Sequence, residues 1–199
     1  MYKRQGYEDL FEGYNEADLH RGQIEKMLRL TVYRDFSKLY RFANVEQRKF
    51  LALYFKRYEV SVIKECLNTV FDHRDVVLNL SIFDEFFNKH SQLDINLLAS
   101  SRTIEELIAN LKGTEYYAPL SQLADIERPT LFDYEMTLDL YYFAQMWKDR
   151  SKVVTKRDLE ELTAAWGSKF DMLNLQWIYR SKRYYHMTSA QILSLIHIS

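Results

Sequence analysis

The sequence is short of the residues that make tight turns. Five glycines and two prolines among 199 residues are under a third of the average share. Hairpin turns and phosphate-cradling loops both consume glycine, so the shortage speaks against an all-β fold and against nucleotide-binding loops. The single cysteine, Cys66, cannot close an internal disulfide or build a zinc site alone. It reads as a small buried hydrophobe in a reducing compartment. No stretch approaches the roughly 18 consecutive apolar residues of a membrane-spanning helix. The opening residues Met1-Tyr2-Lys3-Arg4-Gln5-Gly6 are basic with no apolar run behind them, unlike a signal peptide. An excess of one charge is also missing: 27 Lys+Arg stand against 28 Asp+Glu, a net charge of −1. That leaves no basic footprint for nucleic acid, and the expected location is cytoplasmic.

Apolar residues make up 47% of the chain and aromatics 15%, which excludes disordered, collagen-like and disulfide-rich classes. A compact, helix-rich protein of one or two domains remains. The two ends are exceptions. Residues 1–5 (MYKRQ) and 193–199 (LSLIHIS) are similar to translated sequencing-adapter sequence, so they are expected to be non-native.

Helix signals punctuate the interior. Thr103-Ile-Glu-Glu106 reads as a capping box, followed by Ile104, Leu107, Ile108 and Leu111 at helical spacing, with Gly113 placed for a left-handed C-terminal residue. Thr155 with Asp158 opens a helix expected to stop at Gly167. Ser168 with Asp171 is expected to start the next, and Thr188 one more. Asn15 and Asn44 are candidate N-caps for helices of about 15 and 25 residues. Asp75–His90 reads as a further helix, because its length outweighs the strand-like Val76-Val77-Leu78. Pro119 and Pro129 mark an expected linker or turn. A long helix follows from Leu131 to about Asp149, with Tyr134, Leu138, Tyr141, Tyr142 and Met146 along one side. A weak internal repeat pairs Ile24–Tyr33 with Ile104–Tyr116, and Tyr58–Lys64 with Phe170–Gln176.

Catalytic signals are sparse. His73-Arg74-Asp75 opens like a kinase catalytic loop, but that loop needs Asn where Leu80 stands, and no Gly-rich loop precedes it. Alternatively, His73 and Asp75 would serve a metal-dependent hydrolase. The five histidines are scattered, with no ligand spacing among them. Asn79-Leu80-Ser81 fits a glycosylation sequon in a chain without a secretory signal. Glu105-Glu106 and Glu160-Glu161 sit beside their own helix caps, as dipole partners rather than acid–base couples. No catalytic, cofactor-binding or metal residue is assigned. Tyr116-Tyr117, Tyr141-Tyr142, Tyr184-Tyr185, Trp147, Trp166 and Trp177 supply packing and docking area.

Residues Phe170–Met187, FDMLNLQWIYRSKRYYHM, resemble the signature of the C/d (AC39, 39 kDa) family of V-type and A-type ATPase subunits. Asp171, Asn174, Leu175, Ile178, Arg180, Lys182 and Tyr184 carry the resemblance. Ile104–Leu120 is similar to a second family element, with Leu111, Thr114 and Tyr116 in its Leu…Thr-x-Tyr turn. An earlier, degraded copy retains Glu59, Ile63 and Lys64.

The resemblance implies an all-α fold of helical units about a pseudo-threefold axis, here truncated after about the second. The units would be residues 6–93 and 94–193. It further implies a non-catalytic central-stalk subunit, partnered by the axle of the soluble motor and by the membrane rotor ring, without a cofactor. A generic helical scaffold is the alternative. On the signature helix, Asp171 is expected in the first turn, facing the dipole. Asn174 is expected to bond a neighbouring unit. Arg180, Lys182 and Arg183 either cap carbonyls or face an acidic partner.

Overall fold

A computed structural model describes residues 19–72 and 80–195, and no strand occurs among them. The fold is all-α. Two long hairpins dominate. The first joins α1 (Arg21–Phe42) to α2 (Val45–Phe71), and the second joins α7 (Leu131–Val153) to α8 (Lys156–Arg183). Between them lie a 3-10 turn (Ser81–Phe83), α3 (Asp84–His90), α4 (Ile95–Ser100), α5 (Ile104–Asn110), α6 (Tyr117–Ser121) and a second 3-10 turn (Gln122–Asp125). Helix α9 (Ser189–Leu195) follows.

The caps explain the boundaries. Asn44 accepts from Gln47 N at 2.9 Å, while Gln47 reaches back to Asn44 N, so α2 starts where the sequence predicts. Thr155 caps α8 through Asp158 N, and Thr130 with Asp133 closes a capping box on α7. Thr103 accepts from Glu106 N at 3.2 Å, but Glu106 reaches the N–H of Arg102, one residue further back than expected. Gly113 takes φ +88°, the left-handed conformation in which a side chain is strained.

Several expectations fail for tertiary reasons. Gly167 does not stop a helix and Ser168 does not start one, because α8 runs unbroken for 28 residues. Trp166 and Phe170, on either side of that point, are both buried. Phe170 packs edge-on against Phe143 and Trp147 of α7. That burial outweighs the roughly 1 kcal/mol that an interior glycine costs a helix. Asp171 is therefore in mid-helix, away from the dipole end. Asp75–His90 is not one helix either: Leu80 is non-helical and α3 begins only at Asp84. Pro119 lies inside α6 and Leu120 and Leu123 are buried, so the turn expected between Pro119 and Pro129 is confined to residues 126–130, where Arg128 takes φ +61°. Asn15, residues 1–5, His73, Asp75 and Asn79 lie outside the described residues.

One core runs through both hairpins. Helix α2 is central, packed by α1, α4, α5 and α7, with Val62, Ile63 and Leu67 fully enclosed. The α1–α3 side is aromatic: Tyr33 stacks on Phe86 at 4.2 Å, and Phe36 meets Phe55, Tyr58 and Phe86. Of the two repeat pairings, Tyr58–Lys64 and Phe170–Gln176 both fall in mid-course of a hairpin's second helix. Ile24–Tyr33 lies in the uninterrupted α1, whereas Ile104–Tyr116 is α5 and a turn.

Candidate functional site

The structure separates the signature residues into two groups. Leu111, Thr114 and Tyr116 follow α5, in a tight turn closed by Thr114 Oγ1 donating to Leu111 O at 2.7 Å. Leu111 and Tyr116 are buried. This turn carries Tyr116 beneath α2, where its hydroxyl donates to Glu59 Oε2 at 2.6 Å. Ser91 Oγ donates to the other Glu59 oxygen, so both oxygens of a carboxylate that is 8% exposed have donors. Burial pushes the Glu59 carboxyl above its ordinary value, and the Ser91 and Tyr116 hydroxyls pull it part of the way back. Burial and the neighbouring Glu59 together raise Tyr116.

A cleft of about 240 Å³ opens beside this network, lined in part by Lys56, Glu59, His90, Ser91 and Thr114. Its polar groups are largely engaged with one another. Lys56 Nζ meets Glu115 Oε2 at 2.6 Å, and Tyr141 OH donates to the same oxygen at 2.9 Å. His90 is held neutral-leaning by burial among Phe36, Tyr40, Phe55 and Phe86. A nucleophile–base pair is not what this geometry builds; it builds a clamp that ties α2 to the α5–α6 turn and to α7.

A second set of cross-ties follows α2 and α7. Lys64 Nζ sits 2.6 Å from Asp139 Oδ1, and Asn68 Nδ2 donates to Glu135 Oε1 at 2.8 Å. Burial raises the Asp139 carboxyl, against which Lys64 acts. Lys64, expected from the sequence to belong to an earlier copy of the signature, thus has a structural use. Cys66, two residues further along α2, is 1% exposed, and burial pushes its thiol up to about 12.

The second group lies on α8. Trp166, Phe170, Trp177 and Ser181 form its buried stripe. Asn174 and Ile178 are half-buried, whereas Asp171, Leu175, Arg180, Lys182 and Tyr184 are exposed. Asn174 Oδ1 is buried and has no hydrogen-bond partner, so the expected bond to a neighbouring unit is not made among the described residues. Arg180, Lys182 and Arg183 occupy the last turn of α8, where cations complement the dipole. Met172, Leu175 and Tyr179, each more than 60% exposed, leave one side of α8 apolar and open.

The sequence singles out Glu59 only as part of the degraded signature copy, not as a buried carboxylate. Its signal was a lone carboxylate within the apolar run of α2, three residues after the cation Lys56. Nothing local identified Ser91 or Tyr116, 32 and 57 residues away, as its partners.

Residues 3–198 match the family described as ATP synthase (C/AC39) subunit. The C subunit of the A-type ATP synthase of Methanosarcina mazei is 28% identical over 192 residues, covering 95% of this chain and 50% of the relative. Its counterpart in Methanocaldococcus jannaschii is 24% identical over 162 residues, covering 80% of this chain and 40% of the relative. The chain thus spans about half the length of these curated relatives or less. No solved structure matches it. A match over almost the whole sequence, on an all-helical body, places this chain in the ATP synthase C/AC39 family.

Proposed function

We propose that this chain is a non-catalytic, central-stalk element of an A/V-type rotary ATPase, joining the axle of the soluble motor to the membrane rotor ring. Torque driving proton or sodium transport would pass through it, with ATP hydrolysis on other subunits. Family membership is the observation that carries this reading, and the cross-tied architecture supports it. A torque-bearing part must resist shear between its helices. Here α2 is fastened to α7 by Lys64–Asp139 and Asn68–Glu135, and to the α5–α6 turn by Glu59–Tyr116. Residues 6–93 and 94–193 would be two units of a pseudo-threefold arrangement. The expected location is cytoplasmic, peripheral to the membrane through the complex. No helix among the described residues is long and apolar enough to cross a membrane.

Affinity purification from the source cells tests the proposal. Axle, catalytic and ring subunits should accompany the tagged chain. Its removal should abolish ATP-driven ion transport while the soluble sector still hydrolyses ATP. Purification without those subunits, or unchanged transport, refutes it. Titration calorimetry of the chain with ATP should show no binding heat.

A further inference from the structure

The turn between α1 and α2 presents three large apolar side chains to solvent: Leu39 is 63% exposed, Phe42 83% and Val45 70%. No structural need of a helical hairpin explains them. The second hairpin, built on the same plan with the same two-residue connector, has Arg150, Val153 and Lys156 at the corresponding places. Val153 is 9% exposed there, and Arg150 lies over the Trp147 ring. Only the first hairpin carries an apolar tip.

That tip is also preorganised. Asn44 and Gln47 cap each other, the Ala43 N–H donates to Leu39 O at 2.9 Å, and Arg48 donates to the carbonyls of Tyr40 and Arg41. Phe42 therefore stands on a fixed turn, and binding would order little additional chain. Around it lie Lys38, Arg41, Arg48 and Lys49 against Asp35 and Glu46. Lys38 and Lys49 share their charge with those carboxylates at 3.3 and 3.0 Å. The balance is positive.

We propose that the α1–α2 tip is a docking knob for an acidic protein partner. Leu39, Phe42 and Val45 enter an apolar notch, and carboxylates on the notch's rim meet the four cations. An apolar centre inside a mixed-charge rim, with aromatic and Arg residues prominent, is the anatomy of a protein interface. An anionic bilayer fits less well, because Asp35 and Glu46 would face its headgroups. The inference rests on the rotary-complex reading only for the choice of preparation.

The test places the photocrosslinking residue p-benzoylphenylalanine at position 42, and separately at position 156 on the second hairpin, in the tagged protein purified with its native partners. Irradiation should give one protein adduct from position 42, mapped by mass spectrometry to an Asp/Glu-rich segment, and none there from position 156. F42D should reduce recovery of the same partner about tenfold or more, with an unchanged melting temperature, since Phe42 supports no core contact. A lipid adduct, a second copy of this chain, a partner segment without acidic residues, or no adduct would each overturn the proposal. The adduct is scored on whatever protein is attached. A non-ATPase partner with an acidic segment would refute the proposed function and leave the docking inference standing.

Discussion

Tyr116→Phe removes a single oxygen from the clamp between α2 and the α5–α6 turn. The ring remains, with its edge-on contact to Tyr141 at 5.9 Å, so no cavity opens. Glu59 Oε2 loses the donor 2.6 Å away in a place that water barely reaches. Hydrogen bonds to charged groups contribute about 1.5–3 kcal/mol. For a chain of this size that is a fall in melting temperature of about 3–12 °C. The sign of the pH dependence follows from Glu59. Its folded-state carboxyl is already raised by burial, so its ionisation opposes folding as pH climbs from the unfolded value through the raised one. Losing Tyr116 OH, which favours the ionised form, raises it further. The gap between parent and variant should thus be widest near neutral pH and narrow toward acid, where Glu59 is protonated in both. Urea denaturation at several pH values measures it. A loss below about 0.5 kcal/mol at pH 7, or a gap that widens on acidification, refutes the account.

Glycine replacements should act in opposite directions. Gly167→Ala places a methyl where nothing but Trp147 Cη2 at 4.0 Å lies near, and should stabilise by about 0.5–1 kcal/mol in thermal melts. Gly113→Ala forces a side chain onto φ +88° and should destabilise by about 1–2 kcal/mol. Lys64→Met strands Asp139, whose side chain is 27% exposed. The expected cost by chemical denaturation is about 1–3 kcal/mol, below that of a fully buried broken pair. Cys66 should react with an aromatic disulfide reagent only on unfolding, so that its labelling rate falls whenever a substitution raises stability. Rapid labelling of the native protein would contradict its burial.

Local chemistry in the sequence decides where several helices begin. Asn44, Thr103 and Thr155 each hold the expected backbone N–H, because capping involves residues only three apart. Glycine scarcity and helical periodicity lead as far as a helix-rich protein, and the Asp171–Tyr184 pattern leads to the family and the all-α fold it implies. Tertiary contacts decide the rest. Whether α8 passes through Gly167 depends on Trp166 and Phe170 burying themselves against α7, a gain invisible to propensity. Whether Glu59 is a solvated charge or an interior clamp depends on Ser91 and Tyr116 arriving from distant turns. Whether Leu39, Phe42 and Val45 are core or surface depends on which helix covers the hairpin tip. A residue's immediate neighbours set its backbone, but only the assembled helices set its dielectric, its partners and the faces left open.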